Sequence, residues 1–296
     1  MTISESQSHV LCPVCSSGNV LPAWVVNGFE VVRCLSCTNR YVRNKISSQD
    51  LSRFYEQPEV VAYSDSNAEC LRYYYRKLAG FVRDRHPHPG RILDVGCSRG
   101  FFFDELSDWE CYGTEINSHD VAYAKQRCCE VYEGNFEDMQ ETGMCYDVIT
   151  FQDVLDHFAN PFAAIEKAYR LLKPGGLLAV KVHDFSCLYA KIAGPHFYAV
   201  TPPFHLFYFT RKGMALLLGK AGFETVRLMH IGHILQLKII FFRLSQGNTK
   251  SLARRIYLLL EKLPLGRVRI KKNLRDIMTV FAIKPSLGSV TTPCGS

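Results

Sequence analysis

The stretch Arg91–Glu115, RILDVGCSRGFFFDELSDWECYGTE, constrains the fold of this chain more than any other. Ile92, Leu93 and Val95 form a short apolar run of the kind that becomes a buried strand. Asp94 sits inside the run, which breaks at Gly96-Cys97-Ser98-Arg99-Gly100. Phe101–Leu106 then reads as the first turns of a helix, and Tyr112–Ile116 as a second strand ending in Glu115. Glycines let the backbone turn tightly and let a ligand approach the main chain. A helix start offers unpaired N–H groups to electron-rich ligands. An acid about twenty residues past such a loop can accept hydrogen bonds from ribose hydroxyls.

The glycine run is neither the G-x-G-x-x-G dinucleotide fingerprint nor a phosphate loop with its Lys-Ser/Thr. The ordered segments C-terminal to it give it meaning. Tyr146-Asp147-Val148-Ile149-Thr150 reads as a strand leading into Phe151–Phe158. Leu171-Leu172-Lys173-Pro174-Gly175-Gly176 reads as a helix-ending turn before a strand at Leu177–Val182. Strands alternating with helices predict an α/β fold with a parallel sheet covered on both faces.

These segments (LDVGCxxG, an acid closing the second strand, YDVI and LLKPGG) resemble the class I S-adenosylmethionine-dependent methyltransferases over residues 91–230. The resemblance implies a Rossmann-like, mostly parallel sheet with an antiparallel edge strand, here Ile277–Lys284, and S-adenosyl-L-methionine as cofactor. It further implies that Asp94 orients the glycine loop and the amino group of the methionine moiety. Gly96, Cys97, Ser98 and Gly100 would form the loop, with Ser98 standing where the family often has a third glycine. Glu115 and Ile116 would meet the ribose. Asn135 and Phe136, at the end of a third strand Val131–Asn135, would lie beside adenine, and Gln152 would face the cofactor from the other side.

Cys12-Pro13-Val14-Cys15 and Cys34-Leu35-Ser36-Cys37 are two C-x-x-C knuckles. Two knuckles complete a tetrahedral four-thiolate site for zinc, and a closed site of this kind is structural. Between them Asn27-Gly28 suits a type I′ turn flanked by β-formers, so the segment reads as the hairpin of a small zinc ribbon. The resulting division is a ribbon at 1–45, linker and lid helices at 46–90, the Rossmann-like methyltransferase domain at 91–285 and a tail at 286–296. The linker carries a short helix around Leu51-x-x-Phe54-Tyr55, and a longer helix capped by Asn67 runs to Arg85. Tyr63 and Tyr73–Tyr75 are candidates to line a lid, against the alternative of an aromatic packing face.

The net charge of +7 is uneven: His230–Pro285 holds an excess of ten Lys/Arg over acids. Within a basic helical insertion at 230–275, Leu252, Ile256, Leu259, Leu260 and Leu263 fall at amphipathic spacing. The first residues, MTISESQSHV, show no charged n-region or apolar h-region, and no apolar run spans a bilayer. Cysteine usage fits a reducing compartment, so a cytoplasmic location is expected, with peripheral contact at the inner membrane surface through 234–275 as an alternative. Self-association into a homo-oligomer is a further expectation.

The function expected is an S-adenosylmethionine-dependent methyltransferase (EC 2.1.1.-) with a small-molecule, sugar or lipid-linked acceptor, in secondary-metabolite or glycan biosynthesis. An RNA methyltransferase using the ribbon and the basic segment is one alternative, and a non-catalytic cofactor-binding protein another. Methyl transfer to a hydroxyl needs a base, and histidine suits neutral pH. His157 and His205 are the candidates for catalysis, with His183 behind them. His86 and His88 flank a proline in a turn and read as solvated.

Overall fold

Burial on both faces sets the centre of the main sheet. The computed structural model describes residues 11–44, 58–245 and 250–286. The short linker helix at 51–55, the side chain of Tyr63 and residues 287–296 lie outside them. The N-terminal strands are β1 (Val20–Val26), β2 (Phe29–Cys34) and β3 (Arg40–Val42), followed by the helix α1 (Pro58–Arg85). The alternating unit comprises β4 (Arg91–Val95), β5 (Glu110–Glu115), α2 (Ser118–Ala124), β6 (Glu130–Glu133), β7 (Tyr146–Gln152), α3 (Pro161–Leu171) and β8 (Leu172–His183). Beyond it come α4 (Leu188–Ala193), β9 (Phe207–Tyr208), α5 (Arg211–Lys220), β10 (Glu224–Met229), β11 (His233–Gln236), α6 (Leu237–Leu244), α7 (Leu252–Lys262), β12 (Arg269–Lys272) and β13 (Ile277–Ile283).

Seven strands form one sheet in the order β10-β13-β8-β7-β4-β5-β6. The run β8-β7-β4-β5-β6 is parallel, and β13 lies antiparallel between β8 and β10. The expected antiparallel strand is therefore present one position in from the edge. Ile92, Leu93, Val95, Val148, Ile149 and Phe151 are all buried, as strands covered on both faces require.

Local chemistry moved several boundaries. The helix read at Phe101–Leu106 shrinks to a 3₁₀ turn, Phe103–Glu105. Phe102, Phe103 and Leu106 are buried while Asp104 faces solvent, and β5 begins at Glu110, within a few residues of the turn. The helix expected from Asn67 begins instead at Pro58, a residue suited to a first helical position. The third strand is Glu130–Glu133, because Asn135 opens a 3₁₀ turn. Lys173–Gly176 is taken into β8: the Gly175 N–H donates to the Lys284 carbonyl, and the Lys284 N–H to the Gly176 carbonyl.

The hairpin forms as read, with Asn27 and Gly28 both at positive φ. Its continuation was not visible in sequence. The sheet β1-β2-β3 takes a fourth strand, β9, from far along the chain, pairing Arg40 with Tyr208 and Tyr41 with Phe207. The Tyr41 and Phe207 rings stack at 5.7 Å. Beneath them the buried Asn39 accepts from the Thr210 N–H (2.8 Å) and hydroxyl (3.1 Å), while Thr210 caps α5 through the Gly213 N–H. A Cβ on Gly213 would collide with the Asn39 side-chain amide. The ribbon and the α/β unit thus share one apolar core.

In the insertion, β11 pairs with β12 and α7 presents its stripe unevenly. Leu260 is 6% exposed, whereas Leu252 and Leu259 are 72% and 59% exposed. Among the described residues no helix is long and apolar enough to cross a membrane.

Gly213→Ala is expected to destabilise the protein by about 1–3 kcal/mol through overpacking against Asn39. Gly219→Ala, on the same helix with open space around it, should leave stability unchanged or raise it. Urea denaturation midpoints check both.

Candidate active site and metal centre

At the carboxyl end of β4 the Asp94 carboxylate is 2% exposed and tied to β7. It accepts from Thr150 Oγ1 at 2.5 Å and, through both oxygens, from Gln152 Nε2 at 3.0 and 3.1 Å. Burial pushes its carboxyl up to about 7 despite these bonds. Gln152, with its Nε2 spent on Asp94, keeps a buried Oε1 that has no partner.

The loop leaves β4 through Gly96 (φ +71°), Ser98 (φ +47°) and Gly100 (φ +73°). A Cβ on Gly96 would meet Val154 Cγ2 at 2.8 Å, and one on Gly100 would meet Phe103 Cδ2 at 3.0 Å. Ser98 holds a left-handed conformation that favours glycine, and its hydrogen bonds supply the compensation. Its N–H donates to Glu115 Oε2 at 2.8 Å and its hydroxyl to Asp120 Oδ2 at 2.7 Å. Glu115 Oε1 accepts from the Ile116 and Asn117 N–H groups, both at 2.9 Å. Burial raises this carboxyl above its ordinary range, opposed by the three backbone donors. Among the described residues no Lys or Arg pairs with Asp94 or Glu115.

Two of the expected cofactor residues, Cys97 and Phe136, turn their side chains into the core. Cys97 turns its thiol into the core: a Cβ on Gly113 would lie 2.5 Å from Cys97 Sγ, so glycine in β5 makes room for it. The Cys97 N–H is already given to the Thr114 carbonyl. Phe136 is buried, edge-on to Phe151 and Phe158 and capped by Lys167, which donates to the carbonyls of Phe136, Glu137 and Met139. Its ring is packed in the core. Asn135 stays half-buried at the sheet edge, bonded to Asp138. Tyr74, a lid candidate, is buried with its hydroxyl 3.3 Å from Thr279 Oγ1 and Lys181 above its ring. Tyr75 is half-buried; its phenol is pushed up by burial and by the charge of nearby Asp94.

Farther along the same sheet edge, His157, His183 and His205 surround Asp156. The His157 and His205 rings are 4.7 Å apart, and those of His183 and His205 are 5.2 Å apart. Asp156 Oδ2 lies 3.2 Å from His183 Nδ1 and 3.8 Å from His205 Nε2, while Oδ1 lies 3.7 Å from His157 Nε2. Burial works to raise the Asp156 carboxyl, yet the His183 bond and the surrounding imidazoles hold it well below the usual range. Burial holds His157 below its ordinary value and pushes His205 down to about 3, so both rings keep a lone pair at neutral pH. The two candidate histidines are thus brought together with His183. Asp156, Thr150 and Asp120 were missed; the only sequence signal was the acid directly before His157.

The sulfurs of Cys12, Cys15, Cys34 and Cys37 lie within 4.8 Å of one another, with the pairs 12/37 and 15/34 at 3.5 Å. A disulfide requires about 2.05 Å. Four sulfurs around one zinc stand roughly 3.8 Å apart given ~2.3 Å bonds. The donor set fits a closed tetrahedral ion.

The chain belongs to the methyltransferase domain family, whose description matches residues 68–228, more than half of its length. It is similar to the ubiquinone biosynthesis O-methyltransferase of Ruegeria pomeroyi, 32% identical over 123 residues that cover 36% of this chain and 48% of that protein. A probable S-adenosylmethionine-dependent methyltransferase of Mycolicibacterium smegmatis is 23% identical over 171 residues, 56% of this chain and 65% of the relative. The chain spans about half to two thirds of the length of these curated relatives. In fold it resembles the plantazolicin methyltransferase BpumL bound to SAH (TM-score 0.53, 12% identity, 79% of this chain and 93% of that one). A chain from the Haloferax volcanii complex of the Trm112 activator with a methyltransferase gives a TM-score of 0.51 at 14% identity, over 81% of this chain and 100% of that one.

The residues present fit S-adenosylmethionine. A buried carboxylate, Asp94, and a half-buried one, Glu115, flank the glycine loop without a Lys or Arg partner among the described residues, and the orphaned Gln152 oxygen offers an acceptor to an ammonium.

If the four-cysteine cluster holds an ion, elemental analysis should find one metal per chain and Cys34→Ser should release it. The same substitution should then lower the melting temperature by about 5–10 °C, because binding of a structural ion contributes folding free energy.

Proposed function

We propose that this protein is an S-adenosylmethionine-dependent methyltransferase whose acceptor is a hydroxyl of a small molecule, with a structural zinc in the ribbon. The observation that carries the reading is the acidic lining of the loop, where the buried Asp94 and the half-buried Glu115 have no Lys or Arg partner among the described residues and Gln152 Oε1 is without a donor. A ligand bearing both an ammonium and a sulfonium suits that field. The names of the curated relatives support oxygen as the methylated atom.

When bound, the cofactor supplies an electrophilic methyl on a sulfonium that departs as a neutral thioether. The chain's own work is then positioning and proton transfer. Asp94 and Gln152 would hold the amino end, and Glu115, pinned by three amides, would receive the ribose hydroxyls. Holding the acceptor oxygen in line with the methyl group is a large rate contribution. An imidazole of the Asp156 cluster takes the hydroxyl proton as the oxygen–carbon bond forms. The ribbon, locked to β9 and to the Pro202 carbonyl through Asn27 Nδ2 (3.0 Å), stiffens the segment that carries His205.

Purified protein given labelled S-adenosylmethionine and extract of its source cells should place label in a low-molecular-weight organic fraction. Label in nuclease-sensitive RNA would overturn the acceptor class. His157→Ala and His205→Ala should each lower kcat by about 10²–10⁴, the usual contribution of a general base or its support. Cofactor affinity should also depend on pH. An ammonium binds the ionised form of Asp94, so affinity is full above about pH 7 and weakens by up to tenfold per unit below it. Calorimetry with S-adenosylhomocysteine checks this, and Asp94→Asn should bind more weakly and lose that dependence.

A further inference from the structure

We propose that Asp156, His183 and His205 form a divalent-cation site with an open coordination position, and that the ion there takes the acceptor hydroxyl. The second half rests on the methyl-transfer reading; the ion site does not. One carboxylate oxygen and two imidazole nitrogens from these residues lie within 4.8 Å of one another. Bonds of about 2.0–2.2 Å to a tetrahedral ion set neighbouring ligand atoms roughly 3.3 Å apart. Asp156 Oδ2 already stands 3.2 Å from His183 Nδ1 and 3.8 Å from His205 Nε2, so both carboxylate–imidazole distances lie close to that spacing.

Three further features favour an ion over a simple carboxylate–imidazole pair. First, His205 Nδ1 is 2.8 Å from Thr201 Oγ1, which fixes the ring and aims Nε2 at Asp156. At 3.8 Å that nitrogen is beyond hydrogen-bond range of the carboxylate it faces. A metal-bound histidine is commonly held this way through its second nitrogen. Second, Asp156 is 1% exposed, its Oδ1 has no hydrogen-bond partner, and among the described residues no Lys or Arg pairs with it. The other buried acids of this region are matched: Asp184 by Arg211 at 2.7 Å and Asp276 by Lys272 at 2.9 Å. Third, His183 ends β8 and Asp156 follows β7, at the carboxyl edge of the sheet that also carries Asp94 and Gln152. Two imidazoles and a carboxylate are a donor set for zinc, iron(II) or manganese, and three protein ligands leave room for a substrate oxygen.

In the reaction, the ion binds the acceptor oxygen and lowers its pKa. The O–H proton passes to His157, whose ring lies beside His205. The oxygen forms its bond to the methyl carbon, the carbon–sulfur bond breaks, and its electron pair stays on sulfur. The ion keeps its oxidation state throughout.

The test starts from full-length protein treated with a mild chelator that leaves the four-cysteine site loaded, then titrated with Mn²⁺ and followed by electron paramagnetic resonance. Manganese is a poor match for thiolates, so it reports the oxygen and nitrogen site alone. One bound Mn²⁺ per chain is expected. Asp156→Asn and His183→Ala should abolish binding, and Thr201→Val should weaken it 10–100-fold, with cofactor affinity confirming that each variant is folded. His157→Ala should still bind Mn²⁺. No bound Mn²⁺ and no second equivalent of Zn²⁺ at millimolar concentration would overturn the site, as would binding that persists in both Asp156→Asn and His183→Ala. Bound Mn²⁺ with methyl transfer unchanged by its removal would overturn the catalytic half. Bound Mn²⁺ with no methyl transfer to any cellular fraction would leave the site standing and count against the methyltransferase reading.

Discussion

A single buried carboxylate ties the architecture to the site. Asp94 sits near the carboxyl end of β4, an interior strand, where it is buried and an unsatisfied charge would be costly. Its bonds to Thr150 and Gln152 join β4 to β7 at their carboxyl ends and so fix where the loop of Gly96–Gly100 begins. The loop in turn positions the Ser98 N–H on Glu115, which lies on the neighbouring strand β5. Three adjacent strands thereby converge on one point, and two carboxylates are held there without a Lys or Arg partner among the described residues. That field is set by the fold before any ligand arrives, which is what preorganisation requires.

The second constraint is mechanical. Asn39 reaches from the ribbon to the cap of α5, and glycine at 213 is the only residue type whose bulk permits that approach. Strand β9 then completes the ribbon sheet, so the chain between β8 and α5, which carries His205, is clamped at both ends. The cysteine knuckles and their hairpin therefore support the imidazole cluster through β9. His183 arrives from the sheet, Asp156 from the turn after β7, and His205 from the clamped segment. The geometry of that cluster depends on all three supports.

Much of this was legible in the sequence. An apolar strand broken by glycines, an acid closing the next strand and paired cysteine knuckles each have a local physical cause, so their spacing sufficed. The elements that were missed have non-local causes. The pairing of Phe207 and Tyr208 with β3 depends on a partner more than 160 residues away. The burial of Phe136 depends on Phe151, Phe158 and Lys167 converging on it, which no motif records. Cys97 followed the loop pattern, but the space beside Gly113 decides where its thiol points. The histidines were found singly, and only the fold showed that they share Asp156.

The measurement that tests the central claim most directly is a crystal structure of the protein with bound S-adenosylhomocysteine. The account predicts the ligand's amino group within hydrogen-bond distance of Gln152 Oε1 and its ribose hydroxyls on Glu115. Asp94 should still be held by Thr150 and Gln152. A ligand seated away from the Gly96–Gly100 loop, or one whose amino group and ribose leave both Gln152 and Glu115 untouched, would contradict it.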